Sequence, residues 1–197
     1  MFPVLIKLGI KTWLKTICKK IDIKKLYIKN KNSKNLKPIY EIKLIAEEII
    51  YKNFYINKII INTTPILIKL KFKNRFSILK DFEINALLEL NKYNLRLLIF
   101  NNAWKNIKLK LEKFATEGNN IIDLSIRHNL IIVSFFNKRI KREIGLRMYL
   151  RDNNIYLKDE QGKKMKIPFD KNIRLNSLTF LRNNLNIEIT SKVIVKS

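Results

Sequence analysis

The first twenty-two residues combine an apolar and a basic periodicity, and both have the spacing of an α-helix. The apolar residues recur every three or four positions: Ile6, Ile10, Trp13, Leu14, Ile17 and Ile21. Lysines at i, i+4 occupy another face: Lys7, Lys11, Lys15 and Lys19. An apolar stripe beside a lysine stripe is typical of a helix that lies in a bilayer interface. The pattern predicts a basic amphipathic helix over residues 1–22, although the same stripe also suits a helix packed on the protein's own core.

From residue 23 onward, apolar and polar residues alternate, and this period of two predicts β-strands. The alternating segments are 23–29, 40–46, 54–61, 66–72 and 82–90. Pro65 separates the third segment from the fourth, because proline has no amide hydrogen to donate to a sheet.

The period becomes helical between Asn91 and Gly118. Asn101 and Asn102 interrupt this stretch, since asparagine favours caps and turns over helix interiors. We therefore expect two short helices within 92–114, with Trp104 buried against the sheet.

After Gly118 the alternation returns, divided by short polar segments at 127–129, 152–154 and 183–184. Asparagine tolerates the positive φ that hairpin turns require, so these segments predict tight turns. The whole pattern predicts an α+β fold: a curved antiparallel β-sheet, built as a meander of hairpins and packed on a short helix pair, with an N-terminal amphipathic helix. Residues 23–197 form one β-rich domain in this interpretation.

The chain is strongly basic, with 41 Lys and Arg against 16 Asp and Glu and a formal net charge of +25 over 197 residues. Such a protein is attracted to anionic surfaces, whether phospholipid head groups or nucleic acid. Part of the lysine content has a plainer explanation, because residues with A/T-rich codons (Ile, Lys, Asn) abound while Ala, Gly and Pro are scarce. Nucleic-acid binding stays open as the alternative function, although the aromatic residues form no short motif typical of an RNA-binding sheet.

The residues that commonly carry catalysis are isolated in this sequence. His128 is the single histidine and falls in a predicted turn, and Cys18 is the single cysteine. Neither a zinc site nor an internal disulfide is therefore expected. The four glycines form no phosphate-binding motif, and no serine has the context of a nucleophile elbow. The sequence predicts no enzymatic activity, no metal and no cofactor.

The apolar runs are too short to cross a bilayer, which needs about 18 consecutive apolar residues. The run at 2–6 is cut by Lys7, and no small-residue cleavage site follows it. We expect no signal peptide and no transmembrane helix. The protein should be cytoplasmic, or peripheral on the cytoplasm-facing side of a membrane.

Four segments resemble the LmeA-like phospholipid-binding family, a bacterial group. They are Trp13-Leu14 with Cys18, LIAEEIIYKNFYINKIIINTTPILI at 44–68, FEINALLELNKYNLRLLIFNNAWKNI at 82–107 and KIPFDKNIRLNSLTFLRNNLNIEITSKV at 166–193. The chain departs from the family at Asn53, where a glycine is common. The resemblance implies a β-rich lipid-binding fold, affinity for phospholipid and no enzymatic activity.

We therefore expect a non-enzymatic protein that binds anionic phospholipid or a membrane surface. The residues predicted to face lipid are Ile6, Ile10, Trp13, Leu14 and Ile17. The residues predicted to contact anionic head groups are Lys7, Lys11, Lys15, Lys19 and Lys20. An apolar pocket between the sheet and the helix pair is also expected. Its predicted lining is Leu87, Leu98, Ile107 and Leu111.

Overall fold

The computed structural model describes residues 2–31, 39–51, 53–71, 75–78, 80–169 and 172–195. Three α-helices occur in this part of the chain: α1 (Phe2–Ile17), α2 (Lys92–Ile99) and α3 (Lys105–Ala115). The strands are β1 (Cys18–Lys31), β2 (Ile39–Tyr51), β3 (Phe54–Thr63), β4 (Ile66–Lys71), β5 (Arg75–Ile78), β6 (Phe82–Leu90), β7 (Ile121–Arg127), β8 (Leu130–Asn137), β9 (Ile140–Arg151), β10 (Asn154–Lys158), β11 (Lys164–Ile167), β12 (Ile173–Leu181) and β13 (Asn184–Val193).

The strands form two antiparallel sheets, and the predicted α+β class is confirmed. The larger sheet has the order β12-β13-β6-β3-β2-β4-β5, and β1 pairs with β2 along its length. The smaller sheet is the meander β7 to β11, in which each strand pairs with the next along the chain. The alternation found in the sequence explains most of the strands, because it gives each of them one face for the core. In β8 the residues of both faces are buried from Ile131 to Phe135.

Four hairpins close on two-residue turns in which both residues have positive φ, as twisted antiparallel strands favour. These turns are His128 with Asn129, Lys138 with Arg139, Asp152 with Asn153, and Arg182 with Asn183. Three of them fall within one residue of the predicted turns. The turn at Lys138 was missed because neither lysine nor arginine marks a left-handed position in a sequence.

The helix pair lies where the sequence places it, between β6 and β7. Asn91 begins α2 with a capping box, in which its side chain accepts from the Asn94 amide while the Asn94 side chain accepts from the Asn91 amide. A 3-10 turn at Asn102–Trp104 separates the two helices. Trp104 is partly buried, and its ring centroid lies 5.8 Å from that of Phe54 in β3, so the tryptophan packs against the sheet as expected without being fully enclosed.

One apolar core runs between the two sheets and the helix pair. It takes Leu88 and Leu90 from β6, Leu95 from α2, Leu111 from α3 and Val133 from β8. Burial at about 25 cal/mol per Å² makes this shared core the main stabilising contribution to the fold.

The N-terminal helix is shorter than predicted. It ends at Ile17, and the chain continues directly into β1, where Cys18 is opposite Tyr51 and Lys20 is opposite Ile50. The helical spacing of Lys19 and Ile21 predicts a longer helix, but this spacing continues past the point where the chain joins the sheet. Pairing with β2 gives these residues ladder hydrogen bonds, and the β-branched Ile21 and Ile23 favour a strand.

Candidate functional site

The side of α1 that carries Leu14 is packed on the larger sheet. Leu14 is 8% exposed and forms a buried cluster with Leu26 of β1 and Leu44 of β2. Ile10 packs against the same cluster, and Ile6 packs against a second cluster around Tyr40. The prediction that Leu14 faces lipid is therefore wrong, and the half-buried Ile6 and Ile10 also point to the sheet. The physical reason is that this stripe meets a complementary apolar face of its own chain, which removes it from water.

The opposite side of α1 remains exposed. At 100° per residue, Gly9, Thr12 and Thr16 lie away from Leu14, and Leu8 and Trp13 border them on either side. Leu8 is 62% exposed and Trp13 is 59% exposed, and a side chain built at Gly9 would meet open space. The predicted exposure of Trp13 and Ile17 agrees with the structure, and whether they contact lipid stays a prediction.

Leu8, and Val4 one turn before it, were not among the predicted contact residues, although both are strongly exposed. The signal that could have found them is their i, i+4 spacing next to the lysine stripe. We use the name outward side of α1 for Leu8, Gly9, Thr12, Trp13 and Thr16.

Of the helix lysines, Lys15 alone adjoins this surface: at 100° per residue it lies about 20° from Leu8 around the helix, whereas Lys11 and Lys7 lie about 60° and about 20° from Leu14, toward the packed side. Lys7 and Lys15 are exposed and Lys11 is half-buried. Within the described ranges, none of the three has an acidic group at ion-pair distance. Lys15 in the last turn also lies favourably near the negative end of the helix dipole.

Lys19 and Lys20 lie in β1 instead of the helix, and both have partners. The Lys19 ammonium donates to Oδ1 of Asn53 at 2.6 Å. Lys20 forms an ion pair with Glu48 at 2.5 Å, and its hydrogen bond to this carboxylate raises the pKa of Lys20. The structure therefore separates these two lysines from the free lysines of α1.

The four residues predicted to line one pocket are not brought together. Leu98 and Leu111 are buried, and Leu111 belongs to the shared core. Leu87 alternates with the core residue Leu88 and therefore lies on the other face of β6, while Ile107 is half-buried on α3. The predicted pocket is wrong because packed side chains occupy the space between the sheet and the helices.

Two open cavities lie elsewhere. One of about 300 Å³ is a groove on the outside of the larger sheet, where Leu87 meets Ile60 and Glu188. The other, of about 330 Å³, lies beside the start of α2. Its lining includes Tyr55, Tyr93 and the ion pair of Lys20 with Glu48, so it is mixed in polarity and lacks the continuous apolar wall of a lipid pocket.

The tip of the β8–β9 hairpin is a further exposed surface, which the sequence did not single out. Phe136 and Ile140 are about half exposed there, on either side of Lys138 and Arg139. The sequence feature that could have revealed this surface is an apolar residue on each side of the basic pair Lys138 and Arg139.

The potential metal ligands of the described residues are scattered over the fold, and the single cysteine lies in β1. No group of three or more potential ligands among His, Cys, Asp and Glu comes together in the part of the chain that the structure describes. Burial raises the pKa of the Cys18 thiol, which lowers its reactivity as a nucleophile. None of the described helices is long and apolar enough to span a membrane.

Comparison with known proteins gives no relative from which a role for these surfaces can be transferred. No family model, curated protein or solved structure matches the chain. The resemblance to the LmeA-like family therefore stays a prediction.

Proposed function

We propose that the protein is a non-enzymatic, peripheral binder of anionic phospholipid surfaces, which it contacts through the outward side of α1. The observation that carries the proposal is the orientation of this helix. Leu14 fixes it on the sheet, Leu8 and Trp13 remain in water, and the exposed Lys15 adjoins Leu8. A helix that lies along a surface with apolar residues on its free side and lysines along one edge matches the geometry of interfacial helices.

The expected affinity follows from exposed area and charge. Complete burial of a large apolar side chain contributes about 1.5–3 kcal/mol, and more than half of Leu8 and of Trp13 is available. The two side chains together therefore contribute about 3 kcal/mol. Lys15 and Lys11, the two helix lysines nearest this side, at about 1 kcal/mol each bring the total to about 5 kcal/mol, which corresponds to a dissociation constant of a few hundred micromolar. Binding of this strength is reversible, as expected of a peripheral protein.

Charge-matched variants test the proposal by co-sedimentation with vesicles of phosphatidylcholine with or without phosphatidylserine. We expect K7Q/K11Q/K15Q to weaken binding to the anionic vesicles about 30-fold at low salt, mainly through the loss of Lys11 and Lys15. K105Q/K110Q/K113Q removes the same charge from exposed positions of α3 and should change binding far less. An equal loss of vesicle binding in both variants would show that binding depends only on the net charge of the protein, and the proposal would fail.

The resemblance to the LmeA-like family agrees with this proposal, since it implies affinity for phospholipid. The side of the membrane belongs to the proposal as well. A basic surface favours the cytoplasm-facing leaflet, where anionic lipids give a negative surface potential.

A further inference from the structure

Two tyrosines stack on the outside of the smaller sheet. Tyr149 of β9 and Tyr156 of β10 are directly opposite each other, with ring centroids 5.6 Å apart and planes inclined by 19°. Their chain neighbours Met148 and Ile155 face the core, so alternation places both tyrosines on the far side of the sheet. The ladder between β8 and β9 ends at the pair of Ile131 with Leu146, and no residue of β8 is opposite Tyr149. One face of the Tyr149 ring is therefore free of a neighbouring strand.

Basic residues surround the two tyrosines on the same side of β9, β10 and β11. Arg147 is opposite Lys158, and Lys158 is opposite Lys164, so three cations form one row across three strands. Lys166 is opposite Tyr156 in the next row. We call this surface the Tyr149–Tyr156 face: Arg147, Tyr149, Arg151, Tyr156, Lys158, Lys164 and Lys166.

Acidic residues are absent from the Tyr149–Tyr156 face itself, as far as the described strands show. Glu143 lies farther along the same side of β9, where Arg127 and Lys141 pair with it. Asp152 lies in the adjoining turn and pairs with Arg151 at 3.3 Å. Within the described ranges, Arg147, Lys158, Lys164 and Lys166 have no ion-pair partner.

The row of three cations is costly unless an anion covers it, because like charges directly opposite each other destabilise a sheet. The larger sheet shows the ordinary arrangement. There Lys58 lies between Glu47 and Glu89 in register, and its ammonium is 3.9 Å from the Glu47 carboxylate. The uncompensated row on the smaller sheet therefore indicates an anionic ligand, and the stacked tyrosines beside it indicate that this ligand carries flat rings.

We propose that the Tyr149–Tyr156 face binds single-stranded nucleic acid. Bases stack on the accessible parts of the half-buried tyrosine rings while Arg147, Lys158, Lys164 and Lys166 contact the phosphates, which is how open sheets hold unpaired strands. A duplex keeps its bases stacked on one another and offers only its phosphates. This binding is independent of the contact between α1 and lipid, since the two surfaces share no residue.

The test is a fluorescence-anisotropy titration of the full chain with a labelled 20-nucleotide single-stranded RNA of mixed sequence. We expect Tyr149→Leu to weaken binding about 5- to 150-fold, the effect of losing one stacked base, and Tyr149→Phe to retain the wild-type affinity. Circular dichroism confirms that each variant is folded. Equal affinity of Tyr149→Leu and wild type would overturn the stacking role.

The charge contribution is tested with K158Q/K164Q/K166Q against the α3 variant K105Q/K110Q/K113Q. The first should lower the slope of log affinity against log salt by about 2, because each phosphate contact on a single strand contributes about 0.7. The second should leave the slope close to that of the wild type.

An equal change in both variants, or equal affinity for a duplex of the same length, would overturn the proposal. Loss of binding to anionic vesicles in K158Q/K164Q/K166Q, with RNA binding intact, would assign this face to lipid and overturn it as well.

Discussion

Leu14 of α1 packs against Leu26 of β1, and this contact decides which side of the N-terminal helix is free. The two side chains are 8% and 5% exposed and share a cluster with Leu44. A helix anchored in this way cannot turn its Leu14 stripe to a membrane without losing the cluster. Removal of residues 1–21 would therefore take away part of the core and the first pairs of β1, so point substitutions separate folding from binding better than truncation.

Leu14→Ala should destabilise the protein by about 3 kcal/mol, because it removes buried methyl groups and leaves a cavity. Leu8→Ala is the matched control on the exposed side of the same helix and should change the free energy of unfolding by less than about 0.5 kcal/mol. Urea denaturation with an unchanged m value measures both. Similar effects of the two substitutions would contradict the observed orientation of α1.

The side chain of Asn153, in the β9–β10 turn of the smaller sheet, forms two hydrogen bonds with the backbone of β12. The Asn153 side chain accepts from the Leu175 amide at 2.6 Å and donates to the Ile173 carbonyl at 3.1 Å. Asn153→Gly keeps the positive φ and loses both bonds, so we expect a cost of about 1–2 kcal/mol. Asn129→Gly in the β7–β8 turn is the control, since no side-chain bond is found there, and it should stay within about 0.5 kcal/mol of the wild type. Thermal unfolding of the two variants checks this difference. Equal midpoint temperatures would show that the two Asn153 hydrogen bonds do not stabilise the fold.

The carboxyl group of Glu143 should titrate far below its usual range. Hydrogen bonds from Arg127 and Ser134, together with Lys141, lower the pKa of Glu143 from 4.5 to about 2. Because the pKa is lower in the folded state, the stabilisation is complete above pH 4.5 and is lost as the pH falls through about 2.

An NMR titration of the Glu143 side chain measures this pKa directly. Arg127→Gln should move the pKa toward 4.5 by more than Lys141→Gln does, although both remove one positive charge, since Arg127 makes the larger contribution. A larger shift for Lys141→Gln would refute the assignment.

Much of the fold follows from periodicity in the sequence. The change of period at Asn91 gives the helix pair, and the alternation after Gly118 gives the meander, because burial of one face fixes each pattern. The orientation of α1 could not be derived in this way, since the Leu14 stripe fits a core and a bilayer equally well. Only the position of Leu26 and Leu44 decides between them.

The Tyr149–Tyr156 face shows a second limit. Alternation places both tyrosines on the outer side of their strands, but their contact depends on the register set by the Asp152–Asn153 turn. A shift of one residue would move one ring to the core face. The predicted pocket failed for a related reason, because the sequence does not show which apolar side chains fill the space between the sheet and the helices.

The central claim, that the outward side of α1 enters an anionic lipid surface, is tested most directly by the fluorescence of Trp13. The variant Trp104→Phe keeps an aromatic ring against Phe54 and leaves Trp13 as the single tryptophan. On addition of phosphatidylserine vesicles, we predict a blue shift of the emission and quenching by lipids brominated near the head-group end of the acyl chains. Trp13→Phe, which retains only Trp104, should show neither change. Sedimentation of the protein with the vesicles while the Trp13 emission stays unchanged would place the contact elsewhere, for example at Phe136 and Ile140, and would contradict the claim.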